Sequence, residues 1–204
     1  MLRFPLMTFV VVYDSTVFHG AVGDLLLRLA ARPTLDAPTF GGAAFRATWT
    51  QLIVDEYFED LARRRPDLDR EALRQRSRWI CAGVDLVSGH EALIAGIELP
   101  KAERRHVLAA AIRCGAQAIV TCTPEDFPDE VLQIYQGLEA LHPDVFVVNQ
   151  FDHDSSTVWG VCQEQAAASP SGRTVSELIN LLEAEGLVRC AASLRQFRPP
   201  GPRR

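Results

Sequence analysis

Thr8-Phe9-Val10-Val11-Val12-Tyr13-Asp14 decides the fold class. The run is rich in β-branched and aromatic residues, and an acid ends it. A short apolar run without polar alternation reads as a strand buried on both faces, hence a parallel strand covered by helices. A second run, Ala118-Ile119-Val120-Thr121-Cys122, is followed by Asp126. In open parallel sheets the site lies beyond the carboxyl ends of the strands. Asp14 and Asp126 are therefore expected at one mouth, with Glu56 brought there by a helix. Carboxylates supplied by separate elements suit a hard cation such as Mg²⁺ or Mn²⁺. That pattern points to phosphate chemistry.

The chain has 204 residues, 48% of them hydrophobic and 23% charged, which is ordinary for one soluble α/β domain with an extension. A net charge of −5 gives no global attraction to nucleic acid, so such a partner needs a local patch. Cys81, Cys114, Cys122, Cys162 and Cys190 form no metal-like spacing, and their odd number favours free thiols in a reducing cytoplasm. Arg3 followed by the apolar residues 4–13 faintly resembles a secretory leader. Pro5 interrupts it, Asp14 ends it, and no small-residue cleavage site follows. The stretch is too short to cross a bilayer, and Met7 is a second candidate start.

Working outward, helical spacing predicts a helix over 20–31, ended by Arg32-Pro33, and a loop over 33–45. Further helices are expected over 50–65, 69–81, 91–97 and 102–114, the last ended by Gly115. Short strands are expected at Val84–Val87 and Val145–Val148. Helices over 155–168 and 175–185 follow, the second with a capping box formed by Thr174 and Glu177. Helices alternate with apolar strands, so the class is α/β with a mainly parallel sheet. Residues 7–150 form the expected α/β domain, 151–197 a helical extension, and 198–204 a disordered tail. The apolar residues of the extension are expected to pack on the core and to serve a subunit interface.

Several stretches in this order resemble the PIN-domain proteins, specifically the longer bacterial VapC-like toxins. They include Val12-Tyr13-Asp14-Ser15-Thr16-Val17, Asp24 to Ala30, Asp55-Glu56-Tyr57 and Arg64-Arg65-Pro66-Asp67-Leu68. The most specific are Leu99-Pro100, Arg105-His106-Val107-Leu108-Ala109-Ala110-Ala111-Ile112, Ile119-Val120-Thr121 and Glu125-Asp126-Phe127-Pro128. The resemblance covers most of the chain. It implies a Rossmann-like sheet whose acidic pocket holds Mg²⁺ or Mn²⁺ and cleaves single-stranded RNA. It also implies a small antitoxin partner and a homodimer. The implied metal-site positions are Asp14, Glu56, residue 104 and Asp126. At 104, where the pattern has aspartate, this chain has Arg104, and at 123 it has Thr123.

Each site residue has a bland alternative. Asp14 can cap the next segment, Glu56 can share a solvated face with Asp55, and Asp126 sits in a turn composition. Glu103 neighbours the missing acid and points about 100° away on a helix, yet its longer side chain or fraying at the helix start makes it the candidate substitute ligand. Arg104 either turns to solvent or enters the pocket and pairs with Asp14 or Glu56, a fixed monovalent cation in place of the metal. Ser15 and Thr121 are candidates to orient a carboxylate or water. His106 reads as a core histidine. Arg63, Arg64 and Arg65, with Arg74, Arg76 and Arg78, form the basic concentration that RNA phosphates need. Two functions therefore stand: a metal-dependent endoribonuclease, and a degenerate PIN module that binds RNA or protein without cleaving.

Overall fold

The computed structural model describes residues 9–32, 45–82, 84–135 and 137–199. The leader-like residues 1–8, Met7 among them, lie outside these, as do 33–44 of the expected loop and 200–204 of the expected tail. Four parallel strands form one sheet: β1 (Phe9–Tyr13), β2 (Phe45–Thr48), β3 (Ala118–Val120) and β4 (Glu139–Leu141), in the order β2-β1-β3-β4. The two apolar runs are the central pair, with Val11 opposite Ala118 and Tyr13 opposite Val120. Their side chains are almost wholly buried, as two-sided burial requires.

Helices connect the strands. Among the described residues α1 (Gly20–Ala30) and α2 (Gln51–Arg64) come first; the Thr50 side chain accepts the Ile53 N–H at the start of α2, a cap worth about 1 kcal/mol. Next are α3 (Arg70–Cys81), α4 (Glu91–Ile94) and α5 (Arg105–Cys114). Gly115 ends α5 at φ 64°, a left-handed conformation that glycine adopts without a Cβ penalty. Ala109, Ala110 and Ala111 are buried, and small side chains there let α5 lie close on β1 and β3. Then come α6 (Asp129–Leu132), α7 (Pro143–His153), α8 (Ser155–Ala167), α9 (Val175–Ala184) and α10 (Val188–Gln196).

Several expectations are corrected. Val145–Val148 is not a strand but the middle of α7: Pro143 occupies its first turn and the His142 ring accepts the Asp144 N–H. The sheet's other members are β2 and β4, neither of which has an uninterrupted apolar run. Val84–Val87 forms no strand; single bonds hold it, from Val87 N–H to Trp49 O at 2.8 Å and from the Thr48 hydroxyl to Asp85 O at 2.7 Å. The helix expected over 91–97 stops at Ile94.

The chain divides into two compact units, Met1–Val17 with Pro33–Leu141, and Phe18–Arg32 with His142–Arg204. Residue 150, the expected domain boundary, falls inside α7. The first unit holds the sheet. The second gathers α1 with α7 to α10: α1 packs on α8 and α9, and α10 on α7 and α9. Carboxylates tie this unit together. Asp144, buried, accepts the N–H groups of Arg189 (3.0 Å) and Cys190 (2.8 Å) at the start of α10. Glu185 accepts the Val22 N–H at 3.0 Å in the first turn of α1. Both complement the positive end of a helix. Among the described residues no helix is long and apolar enough to cross a membrane.

Candidate acidic pocket

Asp14 leaves β1 at the carboxyl end of the sheet, its N–H donating to Val120 O at 3.0 Å. Its side chain is fully buried, and a buried carboxylate persists only when well supplied with donors. Five donor atoms surround it. Ser15 N (2.7 Å), Ser15 Oγ (3.3 Å) and Arg104 Nη1 (3.3 Å) face Oδ1, while Thr16 Oγ1 and Thr121 Oγ1, each at 2.8 Å, face Oδ2. A carboxylate offers about four lone-pair sites, so this set saturates it.

Glu56 stands in the second turn of α2, half-buried. Ser15 Oγ lies 3.1 Å from its Oε2, and His106 Nε2 lies 2.8 Å from its Oε1. The single Ser15 proton thus serves either Asp14 or Glu56. Asp126 ends a short 3₁₀ turn, Pro124–Asp126, whose N–H to Thr123 O bond fixes the side chain inward. Lys101 Nζ is 2.7 Å from its Oδ1 and Arg104 Nε is 3.4 Å from its Oδ2. Arg104 closes another 3₁₀ turn, Ala102–Arg104, that leads into α5.

The structure therefore brings Asp14, Glu56 and Asp126 into one network through Ser15 and Arg104. Of the two readings of Arg104, the guanidinium is in the pocket, with its side chain only 19% exposed. Its partners are Asp14 and Asp126. Thr121 contacts Asp14 directly, and Thr123 Oγ1 lies 3.4 Å from Thr121 Oγ1. Glu103 is exposed and makes no hydrogen bond or ion pair among the described residues. Arg63 and Arg64 are exposed and both pair with Asp60, and Arg65 pairs with Asp67.

Burial pushes the Glu56 carboxyl up, but the neighbouring His106, the Ser15 hydroxyl and the Arg104 charge outweigh it, and the group titrates below its ordinary value. Asp126 behaves alike: burial raises it, while Lys101, Thr123 and Arg104 bring it below the usual carboxylate range.

Thr16, Lys101 and His106 belong to this network and sequence reasoning missed them. Two had a signal. Thr16 lies two residues after Asp14, and Lys101 precedes Arg104 by three residues, one turn of a 3₁₀ helix. His106 had none beyond its position, since a buried histidine on an apolar helix face is usually core.

Residues 143–196 match the family described as the VapC50 C-terminal domain. Over 98 residues the chain is 47% identical to the protein named "Putative ribonuclease VapC50" of Mycobacterium tuberculosis strain H37Rv. Over these stretches the chain resembles the VapC-like proteins. Its parallel sheet with C-terminal helices is the PIN-like α/β fold. The match to that relative covers 48% of this chain and 57% of the relative, under two thirds of its length. No solved structure gives a significant match.

A PIN-like pocket implies Mg²⁺ or Mn²⁺, and the residues present can be tested against it. Mg²⁺ demands open carboxylate oxygens in near-octahedral geometry at about 2.0–2.1 Å. Here both oxygens of Asp14, both of Glu56 and Oδ1 of Asp126 already face a protein donor or cation, while Asp126 Oδ2 has no hydrogen-bond partner and only the Arg104 Nε charge 3.4 Å away. Among the described residues no three His, Cys, Asp or Glu side chains stand together as a metal-binding group. The arrangement does not fit a divalent ion.

Proposed function

We propose that this chain is a PIN-type module that binds single-stranded RNA without cleaving it. The observation that carries the non-cleaving part is Arg104, whose guanidinium lies 3.3 Å from Asp14 and 3.4 Å from Asp126. One arginine supplies the positive charge that the acids would otherwise draw from solution, and it cannot be deprotonated at any working pH. The RNA part is supported by the relative named as a ribonuclease and by the basic run at the end of α2 and along α3. Arg63, Arg64 and Arg65 contribute phosphate contacts, because exposed ion pairs such as theirs with Asp60 and Asp67 exchange readily for others.

A second reading has its own support. Asp14, Glu56 and Asp126 converge, and a protein 47% identical over 98 residues carries the ribonuclease name. On that reading the chain is a metal-dependent endoribonuclease, the toxin of a toxin–antitoxin pair. Both readings include a cytoplasmic location, a small antitoxin-like protein partner and a homodimer. Incubating the full chain with end-labelled single-stranded RNA, with Mn²⁺ or with EDTA, separates them. A stable complex and intact RNA in both conditions supports the binding module. Cleavage in Mn²⁺ that EDTA abolishes overturns it in favour of the nuclease.

A further inference from the structure

Outside the pocket, α2 and α3 carry a second constellation. Residues 61–81 hold seven arginines against three acids, a surplus of four positive charges, while the rest of the chain carries nine net negative charges. Within this run an aromatic stack is built across the helix pair. Arg76 lies over the Trp79 ring, with its guanidinium carbon 4.7 Å from the ring centroid. The same guanidinium is 5.9 Å from the Tyr57 ring centroid, and its Nε donates to the Tyr57 hydroxyl at 3.1 Å. Tyr57 is buried, Trp79 keeps part of its surface open to solvent, and Arg78 beside it is exposed with no ion pair among the described residues.

Each part has a role in holding a single-stranded polyanion. Exposed bases stack on aromatic rings whatever their identity, and basic side chains follow the backbone. Arg76 fixes the indole by a cation–π contact, so little side-chain freedom remains to be lost on binding. Spacing of three residues puts Arg76 and Trp79 on one face of α3, the face that meets Tyr57 of α2. Arg78 projects from a different face and is open to a phosphate. Tyr57 directly follows Glu56, so α2 supplies both the pocket and the stack.

We infer that Trp79, held by Arg76 and flanked by Arg78, is a base-stacking platform for single-stranded RNA. This rests on the RNA-binding reading above and names the side chain that meets a base. The test uses the full chain, a fluorescein-labelled twelve-nucleotide single-stranded RNA, and an abasic oligoribonucleotide of equal length. Trp79→Ala is expected to weaken RNA binding about 5- to 150-fold, the equivalent of ~1–3 kcal/mol per stacked base. Binding of the abasic strand should not change. Trp79→Phe should retain most of the affinity, and RNA should quench the wild-type indole emission but not that of Trp79→Phe. Arg78→Ala should weaken both strands alike and lower the salt slope by about 0.7. Wild type that binds RNA while Trp79→Ala binds it equally well overturns the platform alone, as does equal loss for the RNA and abasic strands. Failure of wild type to bind either strand, as expected if the surface serves a protein, overturns the RNA reading as well.

Discussion

Replacing Arg104 by aspartate is the most demanding perturbation of the pocket, because it changes the local charge by two units. Three carboxylates face two cations, Arg104 and Lys101, in the wild type. In Arg104→Asp, four carboxylates face Lys101 alone. At an effective dielectric of 20, two unit charges 4 Å apart interact by about 4 kcal/mol, so several such terms would sum to more than most domains can lose. Proton uptake sets a ceiling. Protonating a carboxyl of ordinary pKa near 4 at pH 7 costs about 1.4 kcal/mol per pH unit, hence ~4 kcal/mol. Asp14 would keep its four hydroxyl and backbone donors and Asp126 would keep Lys101, which limits the loss further. The expected destabilisation at pH 7 is therefore about 2–4 kcal/mol, a fall in Tm of roughly 4–16 °C for a chain of this size. The penalty should shrink by about 1.4 kcal/mol per pH unit on acidification towards pH 5, which Arg104→Met, lacking the added repulsion, should not show. Scanning calorimetry with and without Mn²⁺ completes the test. An ion present at a hundred times its Kd returns about 2.7 kcal/mol to the variant, whereas the wild type should not respond. A wild-type Tm that rises with millimolar Mn²⁺ as much as the variant's would refute the claim that Arg104 and Lys101 exclude the ion.

Other substitutions probe the same framework. Thr121→Val removes a 2.8 Å hydrogen bond to a fully buried carboxylate, and unfolding in urea should show a loss of about 1.5–3 kcal/mol; an unchanged midpoint would mean that Asp14 does not need that donor. Glu56 and Asp126 titrate below their ordinary values, so the folded state resists protonation more than the unfolded chain. Their contribution is complete at neutral pH and is lost as pH falls below about 4 through the depressed folded values, so Tm should drop steeply there and less steeply in Arg104→Met. Gly23→Ala should destabilise α1 although alanine favours helices by about 1 kcal/mol, because the new Cβ would meet the Phe18 carbonyl carbon at 2.3 Å and its oxygen at 2.4 Å. A more stable Gly23→Ala variant would show that Phe18 yields.

Legibility differed by element for physical reasons. β1 and β3 are central strands, so both faces demand apolar residues and the runs announce themselves. β2 and β4 lie at the sheet edges, where Arg46 and Glu139 are exposed, and a criterion based on unbroken apolar runs must pass over them. Val145–Val148 failed the other way, since a short apolar run does not distinguish a buried strand from a buried helix. Pro143 and Asp144 just ahead of it were the helix-start signals that outrank the run. α10 went unnoticed although Leu187, Cys190, Ala191 and Leu194, all buried, follow helical spacing. Cysteine and alanine carry too weak an apolar signal for that stripe to stand out.

Asp14 and Asp126 were readable from strand ends and Glu56, against its neighbour Asp55, only from the family resemblance; the state of the pocket was not readable, because it depends on which groups meet across the fold. Aspartate at position 104 would add a fourth carboxylate and leave the network in need of an outside cation. Arginine there alters more than one ligand: it reaches two carboxylates at once, while Lys101 takes the other oxygen of Asp126 and the hydroxyls of Ser15, Thr16 and Thr121 take those of Asp14. Buried carboxylates left without a cation are destabilising by several kcal/mol. With arginine at position 104 the cation comes from within the chain. Lys101 and Arg104, three residues apart at the entrance to α5, supply it, each within 3.4 Å of a carboxylate of the network.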